Sequence, residues 1–350
     1  MTRHTPLSVL DLSPVPAGGT AADALRNTVE LAHRAEEFGY HRFWVAEHHF
    51  VSGVASSAPA VLVGLLAAAT SRIRVGSGAV LLGHHQPVVV AEQFGTVAQL
   101  HPDRVDLGLG RSGLLRAQDL RRSPVVTEEL VARLEEQQRL LGVRPDGGQD
   151  YAGEVGTILD LISGEGGRLA LPATGADLEV WVLGSSAGPS SLAAGGLGLP
   201  FAANFHVSPN TVDESVASYR EAFVPSKRLD RPRVLVSAEV VVAEDDATAR
   251  ELAEPYGSWV LSIRSGRGAV PVAGPLEAAA FPWTEAQRGL VRDRLDTQIV
   301  GSPRRAAEQL AALRERTGAD ELLVTTTVHA HADRVRSFEL LALAWAELEE

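Results

Sequence analysis

An alternation of amphipathic helices with short apolar segments runs through nearly the whole chain. Residues 23–38 form the clearest predicted helix, with apolar residues recurring at helical spacing and Gly39 at its end. The apolar segment 43–46 follows, and it is typical of a parallel strand buried on both faces. Similar strands are predicted over residues 7–12, 43–46, 73–82, 103–107, 180–183, 201–203, 234–242 and 322–328. Eight such strands alternating with helices predict the α/β class and a closed (β/α)8 TIM barrel.

Two long segments interrupt this alternation. They lie at 112–178, after the fourth predicted strand, and at 255–297, after the seventh. The first contains an acidic helix, predicted over 127–141, and the second is rich in glycine and proline. Segments of this length in a barrel usually carry function or act as lids. Because no linker or shift in composition divides the chain, we expect residues 1–350 to form one domain with two insertions.

The charge and the composition exclude several classes of protein. With 44 acidic against 32 basic residues, the formal net charge is −12, which argues against nucleic acids and anionic membranes as partners. The chain has no cysteine, so disulfides and thiolate metal sites are excluded. The first residues lack the pattern of a signal peptide, and the longest apolar run, 58–69, is too short to cross a bilayer. We therefore expect a cytoplasmic protein.

The densest titratable cluster, Glu47-His48-His49, directly follows the second predicted strand. In TIM barrels the catalytic groups lie at the C-terminal ends of the strands. Either histidine is suited to act as a general base near neutral pH, with Glu47 beside it, and buried structural hydrogen bonding is the alternative interpretation. A metal site is a third interpretation. Because adjacent side chains in a strand point to opposite faces, we expect no metal here.

The segment 108–113 reads Gly-Leu-Gly-Arg-Ser-Gly and matches the dinucleotide fingerprint G-x-G-x-x-G. It follows the fourth strand rather than the first, and no clear helix opens on Gly113. We therefore expect these glycines to let the backbone approach a ligand closely, while Arg111 meets an anion. An ordinary surface ion pair of Arg111 is the alternative.

Three further strand ends are candidate ligand contacts. Gly184, Ser185 and Ser186 lead into a predicted helix, where hydroxyl and backbone N–H groups favour an anion, although a plain helix cap has the same sequence. Two glycines inside the segment 73–82 indicate a bulge against which a flat ring would lie. Asn204 and His206 follow the sixth strand and are expected to contact substrate.

Taken in order, these motifs resemble the flavin-dependent, bacterial luciferase-like monooxygenases over nearly the whole chain. The markers are FWVAEHHF at 43–50, VGSGAVLL at 75–82, VAEQFGT at 90–96, DLGLGR at 106–111, LGSS at 183–186, QIVGSP at 298–303 and GADEL at 318–322. The resemblance implies a TIM-like barrel that uses reduced FMN, supplied by a separate reductase, and molecular oxygen through a flavin C4a-hydroperoxide. It also implies a homodimer.

The same resemblance assigns roles to single residues. Arg111 and the turn at Ser185 and Ser186 correspond to the phosphate ligands, and His48 corresponds to the catalytic base. Gly78–Ala79 corresponds to a non-proline cis peptide that supports the flavin ring. The segment 255–297 corresponds to a mobile lid. These roles are expectations from the family.

The chain departs from its relatives in two places, and rival functions stay open. Ser112-Gly113 replaces the Pro-Gly pair that follows the arginine in many relatives, and the reactive cysteine of true luciferases is absent, so light emission is not implied. The expected reaction is the oxygenation of a small organic substrate, with an antibiotic or polyketide intermediate as one candidate. The alternatives are an F420-dependent hydride-transfer enzyme, a metal-dependent hydrolase using Glu47, His48 and His49, and a non-catalytic flavin-binding protein.

Overall fold

Parallel strands paired in register close into a barrel in the computed structural model, which describes residues 5–111, 127–143 and 150–349. The strands of its sheet are β1 Leu7–Asp11, β2 Arg42–Val45, β3 Arg74–Ser77, β4 Val80–Leu81, β5 Val105–Gly110, β6 Leu178–Gly184, β7 Phe201–Ala203, β8 Val234–Val242, β9 Ile299–Gly301 and β10 Glu321–Thr325. The order β10-β1-β2-β3-β5-β6-β7-β8 closes through the pairing of β10 with β8. The predicted eight-stranded TIM barrel is confirmed.

The strands differ from the prediction in several places, and β5, for example, spans Val105–Gly110 where 103–107 was predicted. The expected continuous strand 73–82 is broken into β3 and β4, with a cis peptide bond between Gly78 and Ala79 as the family resemblance implied. The last barrel strand ends at Thr325, not at residue 328. The additional strand β9 was not predicted, and it pairs with the end of β8, where Val240 lies opposite Ile299. With only three residues, β9 is too short to show a period.

Helices surround the barrel. They are α1 Ala21–Glu37, α2 Pro59–Ala69, α3 Pro87–Leu100, α4 Glu128–Leu140, α5 Tyr151–Ser163, α6 Pro189–Gly196, α7 Val212–Ala222, α8 Asp246–Ala253, α9 Pro255–Arg264, α10 Pro275–Ala279, α11 Glu285–Thr297, α12 Pro303–Thr317 and α13 His331–Glu349. The first begins at a capping box, in which the Asp23 N–H donates to Thr20 Oγ1 at 3.2 Å and the Thr20 N–H donates to Asp23 Oδ2 at 3.1 Å. None of the helices in the described ranges is long and apolar enough to cross a bilayer.

The segment 255–297, which is rich in glycine and proline and was expected to be a mobile lid, contains the helices α9, α10 and α11. Their apolar residues form a cluster of their own that includes Tyr256, Trp259 and Val291. Val54 belongs to the same cluster, so the helices pack onto the loop that follows β2. The segment is therefore a helical layer near the C-terminal end of the barrel.

The N-terminal end of the barrel is filled by paired charges. Arg42, which is fully buried, contacts Asp106 at 2.7 Å and Glu321 at 2.6 Å, and Arg74 contacts the other oxygen of Asp106 at 2.6 Å. The Arg42 guanidinium also lies 5.0 Å from the ring centre of Trp181. The barrel interior at this end is therefore filled by the chain's own side chains.

Candidate active site

A cavity of about 390 Å³ lies at the C-terminal ends of the barrel strands. Its volume is within the usual range of small-molecule sites. All the site residues predicted from the sequence line it: Glu47, His48, Gly78, Ala79, Arg111, Gly184, Ser185, Ser186, Asn204 and His206. The barrel thus brings together residues that are far apart in the sequence, while the role of each stays a prediction.

Glu47 is held by histidines from two loops. Its Oε1 lies 2.8 Å from His49 Nε2 and 2.8 Å from His85 Nε2, and its Oε2 accepts a hydrogen bond from the Leu81 N–H at 2.8 Å. His84 Nδ1 is 3.5 Å from Oε1, which is too loose for a hydrogen bond in this geometry. Burial alone would raise the pKa of Glu47, but the histidines and the Leu81 amide hold it well below its ordinary range. Glu47 is therefore a fixed anion.

A metal ion would find a different set of ligands from the one considered in the sequence. The ligand atoms of Glu47, His49 and His84 lie within 4.8 Å of one another, whereas His48 lines the cavity instead. The alternation of side chains along an extended segment explains why the adjacent histidines separate. Both oxygens of Glu47 already accept hydrogen bonds, whereas neither ring nitrogen of His84 has a hydrogen-bond partner among the described residues.

His48 is partly buried, and its ring lines the cavity. Its Nδ1 has no hydrogen-bond partner among the described residues, and its backbone N–H donates to the Ser56 carbonyl at 2.9 Å. Burial lowers the pKa of His48 to about 4, although the charge of Glu47 opposes the shift. The imidazole is therefore neutral at pH 7 and can accept a proton.

Arg111 and the serine turn come from neighbouring strands. Arg111 directly follows β5, and Gly110 pairs in register with Leu183 on β6, so Arg111 lies beside the turn that begins at Gly184. No carboxylate within the described ranges comes within 4.0 Å of the Arg111 guanidinium. Beyond the turn, α6 begins at Pro189. An arginine that has no acidic partner among the described residues, the serine hydroxyls of the turn and a nearby helix start together fit a phosphate group.

Residues 5–321 match the family of luciferase-like monooxygenases. This chain belongs to that family. It is 40% identical to the Bacillus subtilis (strain 168) protein YvbT over 98% of this chain and 97% of that protein. It is 56% identical to the N-acetyl-S-alkylcysteine monooxygenase of the same organism over 106 residues, which are 30% of this chain and 32% of that enzyme. The solved structure of apo-MsnO8 superposes with a TM-score of 0.82 at 34% identity, covering 98% of each chain.

Four further residues that were not predicted from the sequence also line the cavity. They are Glu239 on β8, Tyr256 and Trp259 on α9, and Arg294 on α11. Glu239 was detectable, because it is a lone carboxylate in an otherwise apolar strand. The other three lie in the segment 255–297, which was expected to be a mobile lid, and no sequence pattern distinguishes them there.

Glu239 and His206 are both uncharged near neutral pH. Burial raises the pKa of Glu239 to about 8, although hydrogen bonds from Thr327, one of 2.6 Å from its N–H, oppose the shift. Burial lowers the pKa of His206 to about 3, and Arg294 and His48 add to the effect. His206 Nδ1 lies 2.6 Å from Ser237 Oγ, which fixes the ring. The cavity is thus lined by one ionised acid, Glu47, and by a second acid and two histidines, Glu239, His48 and His206, that are mainly neutral at pH 7.

Proposed function

We propose that this protein is an FMN-dependent monooxygenase that uses reduced FMN and molecular oxygen to oxygenate a small organic substrate. The observation that carries the proposal is the position of Arg111 beside the turn from Gly184 to Ser186, at the mouth of a cavity lined by a neutral histidine. Membership in the family supports an oxidoreductase of the monooxygenase type. A separate reductase that supplies reduced FMN and a homodimeric assembly are part of the proposal.

Arg111 is proposed as the principal ligand of the FMN phosphate. Ser185 and Ser186 add hydroxyl groups, and Gly184 leaves the strand end open for close approach. A charge-assisted hydrogen bond of this kind is worth roughly 1.5–3 kcal/mol. Gly78 and Ala79 line the same cavity and are proposed to contact the isoalloxazine ring through their backbone.

Bound reduced FMN supplies the electrons with which oxygen is activated, and the chain's own residues provide the surroundings. His48 is proposed to hold or transfer a proton at Nδ1, the nitrogen that lacks a partner among the described residues. Glu47 is proposed to act through other groups, because its oxygens fix His49, His85 and the Leu81 amide. The helices of 255–297 exclude water from the cavity with Trp259 and Tyr256.

The test is the reaction of reduced FMN with oxygen in the presence of the protein. The protein is mixed with reduced FMN without oxygen, oxygenated buffer is added, and the flavin absorbance is followed. We expect reoxidation to be slower than that of free reduced FMN, because a closed site shields the reactive flavin from water. An unchanged rate at saturating protein would contradict the proposal. Anaerobic hydride transfer with F420 in place of FMN would favour the F420-dependent alternative.

A further inference from the structure

Arg294 is a buried cation on the wall of the cavity. Its side chain is 9% exposed, and its Nε donates a hydrogen bond to the Val207 carbonyl at 3.1 Å. The phenol of Tyr256, whose hydroxyl lies 3.5 Å from the His206 carbonyl oxygen, is a second neutral group near the guanidinium. Neither group balances the charge of the guanidinium.

The other buried arginines of the described chain are paired with acids. Arg42 contacts Asp106 at 2.7 Å and Glu321 at 2.6 Å, and Arg334, which is 3% exposed, contacts Asp11 at 2.9 Å. For Arg294, no carboxylate in the described ranges lies within 4.0 Å. A buried charge without a partner costs several kcal/mol in real proteins. An arrangement that keeps such a charge on a cavity wall suits a ligand that brings the opposite charge.

Neither acid that lines the cavity forms an ion pair with Arg294 in the described structure. Glu239 lines the same cavity, but its raised pKa of about 8 leaves it mainly protonated at pH 7. Glu47 also lines the cavity and is an anion, but its oxygens are engaged by His49, His85 and Leu81. A second donor, the buried indole N–H of Trp259, likewise lacks an acceptor among the described residues.

We propose that Arg294 forms a subsite for a carboxylate on the substrate, a conclusion that rests on the proposed monooxygenase function. The site is separate from that of the flavin phosphate. Arg111 and Ser185 follow β5 and β6, whereas Arg294 bonds to Val207, which follows β7. A planar guanidinium matches the two oxygens of a carboxylate. The substrate class is therefore a small organic acid, oriented with its carboxylate toward α11 and its reacting atom toward the flavin.

The experiment is calorimetric titration of the protein, both FMN-loaded and flavin-free, with formate, acetate, propionate and benzoate. Benzamide is the neutral counterpart of benzoate. The variants are Arg294→Gln, Arg294→Lys and the matched control Arg292→Gln, which removes an arginine with a 63% exposed side chain from the same helix. The melting temperature of each variant checks that it is folded.

We expect at least one of the carboxylates to bind the wild-type protein and the control, and benzoate to bind better than benzamide. The Arg294→Gln variant should bind the carboxylates about 10- to 100-fold more weakly, and Arg294→Lys should lie between the two. The proposal is overturned if none of the carboxylates binds the wild type, or if folded Arg294→Gln protein binds them equally well.

The same variants separate this inference from the proposed function. If Arg294→Gln weakened FMN but not riboflavin, Arg294 would hold the flavin phosphate, and the carboxylate subsite would be overturned. If the wild type bound no FMN at all, the proposed function would fail. The titrations of the flavin-free protein would still decide the role of Arg294.

Discussion

The two ends of the barrel use buried arginine in opposite ways. At the N-terminal end Arg42 lies between Asp106 and Glu321, with N–O distances of 2.7 and 2.6 Å. At the C-terminal end Arg294 is nearly as buried, but it lies beside neutral groups, the Val207 carbonyl and the Tyr256 phenol. In the first arrangement the arginine charge is balanced by the chain's own carboxylates, and the side chains fill the N-terminal end of the barrel. The second has no acidic partner among the described residues, and we propose that a ligand supplies the opposite charge.

The buried glutamates of the two ends differ in the same way. At the N-terminal end, burial would raise the pKa of Glu321, but Arg42 and His41 lower it, so this carboxylate is ionised. At the C-terminal end burial dominates and raises the pKa of Glu239 to about 8. Glu321 therefore belongs to an ion network, while Glu239 is a neutral acid on the cavity wall.

The largest expected effect comes from removing the paired arginine. Arg42→Gln leaves Asp106 and Glu321 buried with too little positive charge, so we expect a loss of roughly 3–5 kcal/mol in the free energy of unfolding. Arg294→Gln removes a charge that has no acidic partner within the described ranges, so the free energy of unfolding of this variant should be unchanged or higher. Urea denaturation of both variants at pH 7 measures the contrast.

Arg26→Gln is the control for this pair, because the Arg26 side chain is 75% exposed and its change should be within about 0.5 kcal/mol of zero. Equal destabilisation by Arg42→Gln and Arg294→Gln would mean that the two arginines play the same structural role. The comparison between the two ends would then fail.

The two glutamates should give opposite pH dependences. Glu239 has its folded pKa raised from 4.5 to about 8, so wild-type stability is lost as the pH rises through that window, by at most about 1.4 kcal/mol per pH unit. Glu239→Gln cannot ionise and should gain stability relative to the wild type between pH 5 and pH 8. Melting temperatures across this range measure the gain.

Glu321→Gln is the counterpart at the paired end. Because the folded pKa of Glu321 is lowered, its contribution is present above the unfolded pKa and is lost as the pH falls through the folded value. The variant should therefore be much less stable than the wild type at pH 7, and the gap should narrow in acid. If the stability difference from the wild type changed with pH in the same direction for both glutamine variants, the raised pKa of Glu239 and the lowered pKa of Glu321 could not both be correct.

Sequence reasoning reached the barrel and one half of the site. The strands were predictable from the alternation of amphipathic helices with apolar segments. Because the C-terminal ends of barrel strands lie together, the convergence of the residues between Glu47 and His206 was predictable too. Two glycines indicated an irregularity between β3 and β4. The sequence did not show that Gly78 lies against the side chains of Leu10 and Trp44. A Cβ on Gly78 would lie 2.9 Å from the Leu10 side chain.

The other half of the site was not predictable in this way. Arg294 resembles its exposed neighbour Arg292 in sequence, and only the packing of α11 against α9 buries one of them. The burial that shifts the pKa of Glu239 is likewise a property of the assembled cavity. Whether a charged residue has a partner from a distant segment depends on the folded structure, which a single sequence does not show.

At the C-terminal end of the barrel, Arg111 is proposed to bind the phosphate of FMN. The most direct measurement is the dissociation constant of FMN and of riboflavin for the wild type, Arg111→Ala and the control Arg26→Gln. We expect Arg111→Ala to weaken FMN by about 10- to 100-fold and to leave riboflavin, which has no phosphate, nearly unchanged. Equal weakening of both flavins, or no weakening of FMN, would contradict the account.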